Sequence, residues 1–350
     1  MNNSSDRVYG ASPQDSAYPM RNRPSAITSC IIVGGGITGL ITATFLQRKG
    51  INVTVLDKGK SIGGRLATRR ISHENSVAGV FDYGAQYFSS SDPRFQVWVD
   101  DWLKHGVIKE WCQGFGKSDG KPRYYGVNGT RGIAQHLAQD LDVHTNTKVV
   151  EIGYDSSWLV KTEDEQQFQG EMLLLTPPVP QALDLLDASL MVLPLDIRFS
   201  LENITYHRCI TVLALLEKPS SIPAPGGIAL EDNYITWLAD NHQKGISPDA
   251  YAITLQASPS FSEDYWDSDD AEIAYKLLSA AADYLDSPVI KYQVHRWRYS
   301  LPKTFHPEPY LALSEIPLLI AGDGFVAPNI EGAVLSGIAV GELIGKRFKG

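Results

Sequence analysis

The feature that most constrains this chain is a run of three glycines, Gly34-Gly35-Gly36, set between a short apolar segment and a helix-like one. Cys30-Ile31-Ile32-Val33 is continuously apolar, as a parallel strand buried on both faces is. From Thr38 to Lys49, Leu40, Ile41, Phe45 and Leu46 recur with helical spacing, and Gly50 stands where a C-terminal stop is expected. Val53-Thr54-Val55-Leu56 then reads as a second buried strand. Strand, helix and strand in so short a stretch make a βαβ unit with a right-handed crossover. The economical setting for it is an α/β fold with a doubly wound parallel sheet of the Rossmann type.

Within that unit Gly34-Gly35-Gly36-Ile37-Thr38-Gly39 fits G-x-G-x-x-G, and Asp57 follows the next strand. Gly34 allows the tight turn, Gly36 lets main chain approach a pyrophosphate, and Gly39 packs helix on strand. Asp57 is placed to accept hydrogen bonds from ribose hydroxyls. A dinucleotide is therefore expected, and later segments indicate which one. Asp57-Lys58 leads to Gly63-Gly64-Arg65, where a guanidinium suits phosphates or the far side of a long cofactor. Near the C-terminus Leu318-Leu319-Ile320 runs as a strand into Ala321-Gly322-Asp323-Gly324, and a helix from Gly332 to Lys346 ends the chain. The N-terminus of that helix, at Glu331-Gly332-Ala333, would stabilise negative charge on the pyrimidine edge of a reduced isoalloxazine. Cofactor elements at both ends of the chain favour FAD.

Composition narrows the partners. The 350 residues carry 31 Lys and Arg against 40 Asp and Glu, a formal charge of −9, and no Lys/Arg cluster. Nucleic acid and membrane surfaces are thereby disfavoured and a small-molecule substrate is expected. With no general positive field, an anionic cofactor must rely on backbone dipoles, helix ends and placed residues such as Arg65. Cys30, Cys112 and Cys209 lie too far apart for a CxxC pair or a local metal site, and the histidines show no metal-ligand spacing, so no metal is expected. Sparse cysteines fit a reducing, cytoplasmic setting. Residues 1–28 are polar and Pro-containing and read as a disordered extension without signal or anchor.

The segments IIVGGGITGL, LDKGKSIGGRLATRR, FDYGAQYF and AGDGF…NIEGAVLSG together resemble the renalase-like family of FAD-dependent amine-oxidase-type flavoproteins. Tyr125–Ile133, Leu175–Pro180, Trp237–Ala239 and His295–Tyr299 are similar to matching stretches of that family. The resemblance implies noncovalent FAD at the junction of two interleaved domains. An FAD-binding domain would comprise residues 29–92, 125–180 and 300–350. An α+β substrate domain would comprise 93–124 and 181–299. By position, Ile37 and Thr38 would lie near the phosphates and Arg65 near the ribityl or pyrophosphate region. Gly84, Ala85, Gln86 and Tyr87 would pass the flavin, and Val149 would reach adenine through its backbone. Asp323 would serve the ribityl-phosphate, with Gly332 and Ala333 by the pyrimidine; Lys58, Gly64, Thr176 and Gly322 complete the cofactor set. The implied reaction is oxidation of 2- and 6-dihydroNAD(P) to NAD(P)+ by hydride transfer to flavin N5, with O2 reduced to H2O2. Amine oxidation or polycyclic and isoprenoid desaturation in the same fold is the rival reading, and a non-catalytic flavoprotein scaffold the rival of another class.

Hydride transfer between flat rings needs alignment more than acid–base machinery, so no catalytic residue is assigned. A strand bearing His295, Trp297 and Tyr299 on one face is the expected aromatic substrate wall, with His295 a hydrogen-bonded structural residue. Trp237 and Tyr87 are further pocket candidates, and Asn241 a weaker one.

Overall fold

The computed structural model describes residues 27–74 and 77–347; most of the expected extension, residues 1–26, lies outside the described residues. Six strands form one sheet in the order 310–312, 318–321, 172–175, 29–33, 52–56 and 142–144. Every neighbouring pair is parallel except the first. Val33 pairs with both Leu56 and Leu175, and Leu175 pairs with Ile320. The strands therefore finish together, and Gly34, Asp57, Thr176 and Gly322 emerge along one edge, where ligands bind in open α/β sheets.

The two long helices cover one face of this sheet. Ile37–Gln47 is buried nearly all round, which its apolar composition permits, and it packs on the closing helix Ile330–Arg347. Thr38 Oγ1 donates to the Ala333 carbonyl at 2.8 Å and Thr42 Oγ1 to Gly337 at 3.0 Å. The other face packs on helix Val179–Ala188 and on an antiparallel sheet of 149–155, 157–162 and 167–170.

A second sheet is antiparallel, in the order 227–229, 235–240, 251–257, 206–216 and 289–302. Its outer face buries Phe261, Ile273 and Leu277 from the helices Pro259–Asp264 and Asp270–Ala280. Asp269 caps the second of these by accepting from the Glu272 N–H at 2.8 Å. Its inner face packs on the ribbon 68–71/79–82 through Leu213, Leu215, Phe81 and Trp297. Phe95, Trp98 and Trp102 form the buried face of helix Pro93–Lys104, and Ile133 and Leu137 are buried on helix Arg131–Leu137. Leu141 lies past the end of the latter helix and reaches the core from the turn after it. Among the described residues, no helix is long and apolar enough to cross a membrane.

The ribbon and the second sheet are pinned by one buried ion pair. Lys244 and Asp82 are both fully buried, with Lys244 Nζ 2.8 Å from Asp82 Oδ2 and 2.6 Å from the Gln86 carbonyl oxygen. The other carboxylate oxygen accepts from Thr68 Oγ1 and the Thr130 N–H, and the Lys244 ammonium lies 4.9 Å over the Trp111 ring. Asn241 belongs to this joint, bonded to Ala252 and Thr254 and fully buried. Burial lowers the Lys244 pKa, and the charge and hydrogen bond of Asp82 oppose that shift.

Candidate functional site

A cavity of about 1770 Å³ runs between the C-terminal edge of the parallel sheet and the inner face of the antiparallel one. A pocket for one small molecule measures roughly 300–1,000 Å³, so this cavity has room for a long cofactor and a second ligand. Its sheet-edge end is built from main chain. Gly34 adopts φ +113°, which glycine alone tolerates well, and Gly39 lets the Gly34 carbonyl approach. The Gly63 N–H donates to the Gly35 carbonyl at 2.8 Å, and the Ala85 N–H to the Arg65 carbonyl at 2.9 Å. A Cβ on Gly84 would meet the Arg65 oxygen at 2.1 Å. Three turns, 34–36, 63–65 and 84–87, are thus stacked backbone on backbone along the cavity.

These residues fit a flavin dinucleotide. The N-terminus of helix Ile37–Gln47 has no side-chain cap and no acid in its first turn, leaving its free N–H groups and dipole for a diphosphate. A Cβ on Gly36 would meet no protein atom within 4 Å. The Asp57 carboxylate accepts from the Gly35 and Gly59 N–H groups, each at 2.6 Å, which orients it and leaves lone pairs for ribose hydroxyls. Five buried side-chain polar atoms lack a protein partner among the described residues, and three of them, Gln86 Oε1, Arg131 Nε and Trp237 Nε1, belong to cavity-lining residues. Buried polar atoms are otherwise paired, so a ligand is the natural complement.

Nearly all the expected contacts lie on the cavity wall: Gly34, Gly36, Ile37, Thr38, Asp57, Lys58, Gly64, Arg65, Gly84, Ala85, Gln86, Tyr87, Val149, Thr176, Gly322, Asp323 and Ala333. Gly39 is behind the wall. Gly332 is also off it: its N–H donates to Asn329 Oδ1 at 2.7 Å, and a Cβ there would strike the Ala327 oxygen at 2.1 Å. The helix turn places Ala333, one residue on, against the cavity instead. Arg65 grips Asp323 in a bidentate pair, at 2.5 and 2.8 Å. Burial lowers the Arg65 pKa, but the charge and hydrogen bond of Asp323 more than reverse this, and the guanidinium stays above its usual value.

The far end is built from side chains. Tyr83 stacks on Trp297, with centroids 5.3 Å apart and planes at 25°, and Trp297 Nε1 donates to the Tyr83 carbonyl at 2.9 Å. His295 stands edge-on to both, at 4.9 Å from Tyr83 and 4.4 Å from Trp297. The expected hydrogen bond to His295 is absent among the described residues; rings hold it. Burial, then the nearby charge of Arg69, pushes its pKa down to about 4, so the ring is neutral near pH 7. Tyr299 lies edge-on to Tyr206, and Tyr87 with Trp237 joins Trp111 and Phe115 in a second aromatic cluster. Cys209 also faces the cavity, and burial pushes its thiol up to about 11, which keeps it protonated and unreactive at neutral pH.

Three features escaped the sequence reading. The cavity is lined by ten lysines and arginines against three aspartates, so the field absent from the whole-chain charge of −9 is concentrated here. Tyr83 sits inside the FDYGAQYF segment, and only tertiary packing shows it as half of the aromatic wall. Asp101 of helix Pro93–Lys104 and His105, its C-cap, meet His136 of a second helix with one ligand atom each within 4.8 Å. That group lies outside the cavity lining and depends on a tertiary contact that histidine spacing alone does not register.

The profile of the flavin containing amine oxidoreductase family matches residues 107–344, and that of the NAD(P)-binding Rossmann-like domain residues 32–102. Renalase of Mus musculus is 24% identical over 91% of this chain and 98% of its own length. A redesigned putrescine oxidase covers 91% of this chain and 98% of its own at a TM-score of 0.68 and 13% identity. A conjugated-linoleic-acid-producing fatty acid isomerase from P. acnes does so over 91% and 98% at a TM-score of 0.64 and 15% identity. The chain belongs to the flavin-containing amine oxidoreductases, as a renalase-like, flavin-dependent oxidoreductase.

Proposed function

We propose that this protein is an FAD-dependent oxidase that converts 2- and 6-dihydro isomers of NAD(P) to NAD(P)+, consuming O2 and one proton and releasing H2O2. The observation that carries the reading is the single cavity running from the glycine turns at Gly34, Gly64 and Gly84 to the Tyr83–Trp297 wall. FAD, when bound, would accept the hydride and return both electrons to oxygen. The helix N-terminus at Ile37–Thr38 and the Asp57 carboxylate would hold its phosphates and adenosine ribose, with Val149 near the adenine. Arg65 and Asp323 would orient the ribityl chain, and the 84–87 turn would flank the ring.

The substrate side needs a flat slot and little acid–base chemistry. Trp297, backed by Tyr83, offers a stacking surface for a dihydropyridine, and the neutral His295 leaves no competing acid beside it. Arg69, Arg70, Arg208, Arg296 and Arg298 line the cavity, Arg208 and Arg296 being paired with Glu263 and Asp270, and this excess of cations disfavours a cationic amine and an isoprenoid alike. The test is aerobic turnover with purified 2- and 6-dihydroNAD(P). NAD(P)+ and H2O2 should appear in equal amounts; turnover of an amine or a desaturation substrate but of neither isomer would refute the reading.

A further inference from the structure

Away from the cavity, a second cluster of ligating side chains lies where helix Pro93–Lys104 ends. Asp101 stands in its last turn, and His105 is its C-cap, whose N–H donates to the Asp101 carbonyl at 3.0 Å. The His105 ring is held too, with Nδ1 2.8 Å from the same carbonyl oxygen and 3.4 Å from Asp101 Oδ1. His136 arrives from helix Arg131–Leu137, its ring centroid 5.6 Å from that of His105 and the planes tilted by 35°. One ligand atom from each of the three residues lies within 4.8 Å of the others, and this is the one such group of three among the described residues.

Both helices are fixed by what they bury. Phe95, Trp98, Val99 and Trp102 of the first share a core with Ile133, Ala134 and Leu137 of the second. The two backbones therefore hold the three side chains near one another before any ligand arrives, which lowers the ordering cost of binding. Beyond the contacts just given, neither the Asp101 carboxylate nor the His136 ring has a hydrogen-bonding partner among the described residues. The side chains of His105 and Asp101 are 50% and 42% exposed, so an ion can enter from solvent. A helix C-terminus concentrates partial negative charge on its last carbonyls and favours a cation there.

We infer that Asp101, His105 and His136 form a zinc site that staples the two helices, with water completing the coordination. Two imidazoles and a carboxylate suit borderline-soft Zn2+, whereas hard Mg2+ and Ca2+ prefer oxygen ligands alone. An edge of a tetrahedral zinc site is about 3.3 Å, so small rotations of these partly exposed side chains close the group on the ion. The exposed pair His144 and Asp142, 3.0 Å apart, offers two donors and no third within reach among the described residues. The zinc site is independent of the proposed reaction, because none of its residues lines the cavity.

The experiment titrates untagged, flavin-loaded protein with ZnCl2 by calorimetry. The wild type should bind about one zinc per chain, and excess Mg2+ should not displace it. Loss of an outer-shell partner costs a metal site roughly 10–100-fold in affinity, so His136→Ala and Asp101→Asn, which each remove a ligand, should cost at least as much. His144→Ala should bind zinc as the wild type does. A second readout is the melting temperature, which ZnCl2 should raise in the wild type and in His144→Ala but not in His136→Ala. Flavin occupancy reports the folding of each variant; should His136→Ala lose its flavin, Asp101→Asn, which keeps the shape of the side chain, decides in its place. A wild type that binds no zinc, displacement by Mg2+, unchanged affinity in the two ligand variants, or an equal loss in His144→Ala overturns the site.

Discussion

The two ends of the cavity are made of different material. The cofactor end is main chain: turns that touch through N–H and carbonyl groups and stay close because glycines lack a Cβ. The aromatic end is side chain: rings and arginines carried by elements far apart in sequence. Backbone geometry imposes short, fixed spacings, whereas a wall of side chains can be assembled from anywhere. The first end should therefore fail through added carbon atoms, and the second through lost functional groups.

The largest expected effect is at the joint between them. Lys244→Met removes the cation paired with Asp82 and leaves a buried carboxylate, which costs about 3–5 kcal/mol. Urea unfolding of the apoprotein would show it as a lower midpoint with the slope retained. A loss below about 1 kcal/mol would mean that the pair does not clamp the ribbon to the sheet. Next is Gly84→Ala, whose Cβ would sit 2.1 Å from the Arg65 oxygen. Overpacking of this kind costs roughly 1–3 kcal/mol, and because the turn is on the cavity wall, flavin should also be retained poorly on gel filtration. Full flavin occupancy would show that the stacked turns tolerate separation.

Smaller effects sharpen the other side of the comparison. Trp297→Phe keeps a ring on Tyr83 but loses the 2.9 Å hydrogen bond, so stability should fall by only about 1 kcal/mol. Flavin occupancy should hold while anaerobic flavin reduction slows, and unchanged reduction would remove Trp297 from the substrate wall. The smallest effect is that of His295. Its folded pKa of about 4 lies below the ordinary 6.5, so between those values the unfolded chain binds the extra proton. The neutral ring thus costs stability as pH falls from 6.5 to 4 and nothing above that window. His295→Gln should flatten the melting temperature over that range, and an unaltered pH profile would contradict the assigned burial.

This division of material also explains what was legible in the sequence. Gly34, Gly36, Asp57, Gly64 and Arg65 lie within one βαβ unit and the turn after it, so local spacing revealed both the fold and the cofactor end. Strand alternation put His295 beside Trp297, although Tyr299, past the register shift, turns to Tyr206 instead. It did not reveal Tyr83 as their partner, because that contact crosses 214 positions. Arg69 and Gln293 meet across 224 positions, and the register shift opposite residues 298–300 arises only when two strands pair out of step. The whole-chain charge misled for a related reason: it sums over the entire surface, and folding gathers the cations into one cleft while acids remain elsewhere. Of the expected neighbours Gly332 and Ala333 only Ala333 lines the cavity, since a helix turn decides which of them faces inward and spacing alone does not fix that phase.

The central claim, that the aromatic wall presents a dihydronicotinamide ring to a flavin held by the glycine turns, is tested most directly by rapid anaerobic mixing of the purified holoprotein with 6-dihydroNAD(P). The account predicts that the visible band of the oxidised flavin bleaches as one NAD(P)+ forms per flavin, and that admitted oxygen restores the band with release of H2O2. A flavin that stays oxidised with both the 2- and 6-dihydro isomers, yet bleaches with an amine or a desaturation substrate, would contradict it.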